Sequence, residues 1–496
     1  MQSDSRRPSR SAPFENRPRV RRPPSSRAPN TALLGVSFAL AACGGVVRPA
    51  GGDGDSSVQA DVIARTDVVR DVPNARDVIA PTCPPGTSAL GTCQGQTIVR
   101  CANGALSMEV CAADQRCEPS TGMSAARCAT IPVGMVMATV TGRVMYPRRP
   151  ISRMGLGAVE SLPLEGVTVV LLDAAGATRA STLTDGMGFY SLNAVFAEGA
   201  MASVRATPVR NDATYRFSVE NFSGAAYAAT SPAFAVAPMV SRDITITEAT
   251  NGGAFAIFDT IRGGLDFVRR VLPMAAPTLR LRWERGRTPP GGTSYFIPGR
   301  NQIFLLGGPQ DVDEYDKPVI LHEFGHFVEA NFSRTSSPGG SHDGSPTDPR
   351  LAWGEGWGTW FGSVANGSSD YIDTNIDGSI RNRTDLANVA LVRNNMGDPM
   401  APMTQNVGEY LVGGALWAFS SAGMDRDAQL AKVLGVSLRY FTRTPTPNRG
   451  VAGIDFVDFL DGYLCLNGPM DRSVIDSYVV MQRGFPYDFN FAGVCR

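Results

Sequence analysis

The chain has 496 residues, is 43% apolar and carries 46 basic and 46 acidic side chains. That length accommodates two or three hydrophobic cores, and a net charge of zero without a basic stripe offers no footprint for a nucleic-acid partner. The charge is unevenly placed: eight arginines precede residue 31 beside only Asp4 and Glu15, which leaves 38 basic against 44 acidic residues in the remainder.

An apolar run from Thr31 to Ala42 follows the arginines and ends in Leu40-Ala41-Ala42-Cys43-Gly44. It is too short to span a bilayer but has the length of a secretory h-region. The last residues resemble a bacterial lipobox. That resemblance implies acylation of Cys43, a membrane partner through its lipid, and a place in the cell envelope. Gly44, standing where Asp would signal retention, points to the outer membrane. The arginine-rich lead is long for such a signal, which makes Val20 a candidate start. Residues 44–82, rich in Gly, Asp and Val and without period, read as a flexible tether.

Eight cysteines follow Cys43. Six of them (Cys83, Cys93, Cys101, Cys111, Cys117 and Cys128) crowd into a segment poor in apolar residues. With no CxxC pair and no His nearby, they predict a disulfide-rich module over 83–130, formed in an oxidising compartment and with its pairing open. Cys465 and Cys495 are expected to pair near the C-terminus.

From 131 to 250 the pattern predicts short strands: Met135–Met145, Val167–Leu172, Thr178–Thr184, Phe189–Leu192, Ala202–Pro208 and Arg242–Thr247. Several strands at this spacing suggest a β-sandwich. The stretches Val140-Thr141-Gly142-Arg143-Val144, Leu164-Glu165-Gly166-Val167-Thr168-Val169 and Thr184-Asp185-Gly186-Met187-Gly188-Phe189-Tyr190 resemble the carboxypeptidase regulatory-like domain, a transthyretin-like sandwich. The resemblance implies an accessory role without catalysis.

Beyond Asn251 a helical period runs through Ala254, Ile257, Phe258, Ile261, Leu265 and Val268. Strands are predicted at Leu279–Trp283 and Tyr295–Leu306, the latter broken at Pro298 and Gly299. A helix is predicted from Asp316 as N-cap, with Pro318 in its first turn. Further helices are expected at Pro349–Ala365, Val407–Ser421, Ala428–Tyr440 and Ile454–Leu464. Strands followed by helices predict an α+β domain over 251–496.

The Asp316 helix contains His322-Glu323-Phe324-Gly325-His326, with two of the chain's three histidines. Positions i and i+4 share a helical face, so both imidazoles can aim at one zinc ion, and Glu323 beside them can serve as general base toward an attacking water. A catalytic zinc needs a third protein ligand. Phe332 stands where a three-histidine pattern needs its last His. Ala352-Trp353-Gly354-Glu355-Gly356-Trp357 instead resembles the second motif of gluzincin metallopeptidases, the thermolysin-like and aminopeptidase-like group. On that resemblance Glu355 is the third zinc ligand, and Gly354, Gly356 and Gly358 let the two helices approach closely.

The family's supporting carboxylate, one turn after the ligand Glu, is replaced by Thr359, so support for a zinc histidine is expected from elsewhere. Glu329 shares the histidine face but is expected to be exposed at the helix end. The exopeptidase motif GxMEN is absent and Thr293–Leu306 has no acidic residue, which implies an endopeptidase, with Asn301–Leu306 as the substrate-aligning edge strand. Tyr410 and His342 are the two candidates for stabilising the oxyanion. Asp373-Thr374-Asn375-Ile376-Asp377-Gly378 matches half of a calcium loop, but Thr384 occupies its last ligand position. A polar turn is the simpler reading and Ca2+ the alternative. The sequence thus predicts a multidomain chain with an α+β zincin-like catalytic domain behind an all-β sandwich and a disulfide-rich module. It predicts a lipid-anchored zinc endopeptidase acting on protein or peptide substrates. The alternative is a surface adhesion or binding lipoprotein with a peptidase-like scaffold.

Overall fold

Alternation of apolar and polar residues builds the β-rich half. In Met135–Arg148, Ala138, Val140, Val144 and Tyr146 point inward. This long strand pairs antiparallel with Phe189–Ala197 and parallel with Met239–Ser241, and its end also takes Glu160–Pro163 and Ile244–Thr245. A second sheet runs in the order Thr178–Leu183, Thr168–Asp173, Met201–Thr207, Ala229–Thr230. Val140, Leu192, Val169, Leu171 and Val204 from the two sheets belong to one buried cluster. The six predicted strands are all present. The computed structural model describes residues 83, 87–112, 114–122, 124–272, 276–388 and 400–495, all within a compact unit that begins at Val78. The Cys43 lipobox and the 44–82 tether lie outside the described residues.

Among the described residues four disulfides are present: Cys83–Cys101, Cys93–Cys117, Cys111–Cys128 and Cys465–Cys495. The first three staple the small N-terminal strands, whose own apolar cluster among the described residues is Ile98, Cys111 and Ala126 with Cys117 and Cys128 packed on it. A core that small needs covalent support.

A third sheet passes from the β-rich half into the helical half. Its order is Val209–Asn211, Arg216–Glu220, Leu279–Arg282, Gln302–Phe304, Tyr295–Ile297, and Arg216–Glu220 pairs parallel with Leu279–Arg282. The expected edge strand is therefore corrected. Gln302–Phe304 is flanked on both sides, and Tyr295–Ile297, folded back across the Pro298-Gly299 turn, takes the edge.

Helix α1 (Gly252–Arg269) buries Phe255, Ile257, Phe258 and Ile261, and Phe258 stacks on Phe217 with ring centroids 4.8 Å apart. Behind it lie α2 (Lys317–Phe332) and α3 (Pro349–Asn366), then α4 (Glu409–Ser421), α5 (Arg426–Gly435) and α6 (Phe456–Asn467). Asp348 caps α3 by accepting from Arg350 N, and Asp455 and Asp458 form a reciprocal capping box on α6. Asp316 occupies the N-cap position of α2, but its carboxylate does not cap the helix. It accepts from Thr374 N (2.6 Å) and Thr374 Oγ1 (2.9 Å) instead. Thr374 belongs to a hairpin of Asp370–Thr374 and Ile380–Asp385, which stands beside α2 and α3.

Candidate metal centre

Helix α2 presents His322 and His326 one turn apart, and their Nε2 atoms lie 3.0 Å from each other. Glu355 Oε2, from α3, lies 3.2 Å from His322 Nε2 and 3.3 Å from His326 Nε2. A tetrahedral ion with bonds of 2.0–2.2 Å requires ligand atoms about 3.3–3.6 Å apart; the three atoms, at 3.0–3.3 Å, sit slightly closer than that, and two imidazoles with a carboxylate are a donor set whose chemistry fits zinc.

The helices reach this distance because glycines line their contact. A side chain at Gly358 would run into the His322 ring, and one at Gly362 would strike the Pro318 carbonyl. On α2, Gly325 faces Phe361. Gly356, expected to serve the same contact, faces Glu409 and Val412 of α4 instead. The buried Trp357 fastens the pair by donating from Nε1 to the Gly325 carbonyl (3.2 Å).

Two sequence expectations are corrected here. Thr359 does not leave His322 without support: its Oγ1 lies 3.3 Å from His322 Nδ1 and would accept the ring N–H in the tautomer that leaves Nε2 free for a metal. A hydroxyl thus does the orienting work expected of a carboxylate. Glu329 is not at the surface. It is buried and accepts from Trp353 Nε1 at 2.9 Å, because α3 packs over this end of α2. Burial, opposed by His326, pushes Glu329 up to about 7.

His342 arrives from the loop between α2 and α3. Its Nε2 lies 3.3 Å from Glu355 Oε2 and its Nδ1 2.8 Å from Glu409 Oε2, so two carboxylates bracket the ring. Burial disfavours the charge on this ring, but Glu409 and Glu355 outweigh it and raise His342 to about 9. His326 rises to about 9 for the same reason, burial being overcome by Glu355. Glu355 is held well below the carboxylate range: burial pushes it up, but His326 and His322 prevail. Burial raises Glu323, against the pull of His322 and His326.

The imidazoles, Glu323, Glu355, Thr359 and Glu409 line one cavity of about 780 Å³, which Glu329 does not reach. His322, Glu323, His326, His342, Glu355 and Tyr410 are brought together there. The Tyr410 ring packs over Gly344, whose φ of +87° and lack of a side chain leave it room. Sequence reasoning missed Tyr371, Glu409, Asp311 and Asp313, and singled out Asp373 only within the half calcium loop. Tyr371, on the Asp370–Thr374 strand, places its ring 5.7 Å from that of His322 and lines the same space. Glu409 sits next to Tyr410 in sequence, a position that could have drawn attention to it. Asp311, Asp313 and Asp373 also line the cavity, with one carboxylate oxygen from each within 4.8 Å of the others. The Asp377 carboxylate takes Ser379 N (2.9 Å) and Ser379 Oγ (2.6 Å) in the hairpin turn, while Asp373 joins Asp311 and Asp313.

No protein-family model matches the chain, and no curated protein matches it. Among solved structures, a mutant shaft pilin SpaA from Lactobacillus rhamnosus GG is 15% identical with a TM-score of 0.13, over 22% of this chain and 50% of the pilin. The major plantain pollen allergen is 14% identical with a TM-score of 0.15, over 23% of this chain and 92% of the allergen. A 9R-lipoxygenase from Cyanothece PCC8801 is 10% identical with a TM-score of 0.14, over 28% of this chain and 25% of the lipoxygenase. The chain thus spans about half of the pilin and a quarter of the lipoxygenase, and similarity this low carries no argument about fold or activity.

Proposed function

We propose that the protein is an exported zinc metalloendopeptidase of gluzincin type. The observation that carries this reading is the convergence of His322 Nε2, His326 Nε2 and Glu355 Oε2 within 3.0–3.3 Å beside Glu323 in one cavity. Zinc bound there supplies Lewis acidity toward a peptide carbonyl and a water acidified toward neutral pH. Glu323 takes the proton of the attacking water and hands it to the leaving amine. His342, kept cationic by Glu409, and the hydroxyls of Tyr371 and Tyr410 offer donors to the developing oxyanion. The free edge of Tyr295–Ile297 borders the cavity and suits an extended peptide added as a further strand. The four disulfides support an oxidising compartment, and the lipobox supports anchoring through Cys43 at the outer membrane.

The test uses the full-length protein, assayed for bound zinc and for cleavage of an unstructured protein. Glu323→Gln should keep one zinc and lose about 10²–10⁴-fold in turnover, whereas His322→Ala should lose both. A native protein that retains no zinc after dialysis defeats the reading. Tight zinc binding with no cleavage across a broad peptide library favours the adhesion or binding lipoprotein instead. Membrane fractionation of Cys43→Ser tests the anchor, since a variant that stays with the membrane defeats it.

A further inference from the structure

The hairpin carrying Tyr371 is gripped by a part of the chain far upstream. A short turn of Ile151–Ser152 and Gly155–Leu156, projecting from the β-rich half, lies against it. Arg153 at its tip donates from Nε to Asp370 Oδ2 (2.6 Å) and from Nη2 to Asp385 Oδ2 (3.0 Å), 217 residues away in the first case. Leu156 N donates to the Gly378 carbonyl (2.9 Å), and Gly155, at φ +90°, has no side chain to hold the two backbones apart.

The need for that grip follows from the pairing. Asp370 and Asp385 stand directly opposite each other across the hairpin, an arrangement of like charges that pushes strands apart. The Asp370 side chain is only 6% exposed, so water does little to screen it. Arg383 lies 2.6 Å from Asp370 but 3.6 Å from Asp385, and Arg153 completes the neutralisation of the pair. A two-stranded hairpin is marginal by itself. Besides the packing of Ile372 and Tyr371 under it, this one is tied by its bonds to Asp316 and the Arg381–Asp311 ion pair near its turn, by that turn against the 310–311 loop, and by Ser369 and Arg153 at its open end. Tyr371 and Thr384, which line the cavity, each follow or precede one of the two aspartates by one residue.

We propose that Arg153 is a positioning residue of the cavity: from the β-rich half it clamps Asp370 to Asp385 and so holds Tyr371 beside His322. The effect on turnover rests on the peptidase reading; the clamp itself does not.

The experiment compares wild type, Arg153→Ala, Arg153→Lys, Tyr371→Phe and the Arg153→Ala/Tyr371→Phe double variant as full-length protein. Hydrogen exchange across residues 370–385 should quicken about 10-fold or more in Arg153→Ala, while α2, α3 and the zinc stoichiometry stay as in wild type. Its kcat should fall about 10-fold or more with KM near wild type, as for a displaced catalytic group. Arg153→Lys should recover part of that loss, and the double variant should be no slower than Tyr371→Phe alone. Unchanged exchange over 370–385, or a loss that multiplies in the double variant, overturns the proposal. If Arg153→Ala melts globally, Arg153→Gln removes the charge while keeping most of the side chain, and the same exchange readout decides. A wild type that cleaves nothing while its hairpin loosens in Arg153→Ala sinks the peptidase reading and leaves the clamp. A wild type that cleaves with a hairpin indifferent to Arg153 does the reverse.

Discussion

On one side of the cavity, His322, His326 and Glu355 stand on helices of 16 and 18 residues that interlock through glycines and buried tryptophans. Elsewhere in its lining, Tyr371 and Asp373 stand on one strand of a short hairpin that side chains from Asp316, Asp311 and Arg153 help to hold. The first wall obtains its geometry from backbone packing, so each ligand is fixed by its own helix and by the neighbouring one. The second obtains its geometry from charge pairs and a few hydrogen bonds, which are weaker singly and depend on remote segments. Metal binding should therefore resist changes in the hairpin, and turnover should not.

The largest effect should come from breaking the first wall at its closest point. Gly358→Val would drive a side chain into the His322 ring, so zinc affinity should fall about 100-fold or more, with about 1–3 kcal/mol lost in folding stability. Metal titration and denaturant unfolding measure the two losses, and a variant that still binds zinc like wild type would show that the helix contact is not what sets the site. A smaller loss, about 10-fold in zinc affinity, is expected for Thr359→Val, which removes the hydroxyl that orients His322 but keeps its volume. An unchanged affinity would mean that the ring is held by packing alone.

The second wall should show itself as a pH effect. Burial and the neighbouring Asp311 raise Asp373 from its ordinary 3.8 to about 7. Between those values the folded chain keeps a proton that the unfolded chain has released, so this group makes stability fall as pH rises from about 4 to about 7 and leaves the penalty in place above that. Asp373→Asn should melt higher than wild type at pH 8, and the two should converge below pH 4. Equal Tm values across the range would contradict the raised Asp373. Millimolar Ca2+ that raises the wild-type Tm at pH 8 but not that of the variant would assign a cation to the three aspartates. No effect of Ca2+ would leave them as a proton-sharing cluster.

The same contrast explains what could be read from the residues. His322, Glu323 and His326 repeat at helical spacing, and Glu355 follows in a tryptophan- and glycine-rich helix, so this wall is local in sequence and was legible. The strands of the β-rich half were legible for a similar reason, since alternation is a property of neighbouring residues. Tyr371 was not, because nothing near it in sequence says that its strand will stand across from α2. Glu329 was misjudged because its burial depends on Trp353, a residue of the next helix. The edge strand was misplaced because the Pro298-Gly299 turn, read as an interruption, reverses the chain and puts Tyr295–Ile297 outside Gln302–Phe304. In each case the deciding contact lies in tertiary structure, where propensity and spacing carry no information.

The sheet that joins Arg216–Glu220 to Leu279–Arg282 bears on how such a protein can change over time. Accessory sandwiches are commonly pictured as beads that can be gained, lost or exchanged at a linker. Here a cut near residue 250 would separate two hydrogen-bonded strands and bare both new edges, each a template for sticking to other chains. The Arg153 contact would be severed by the same cut. Exchange of one half without the other would thus yield an aggregation-prone half rather than a new combination.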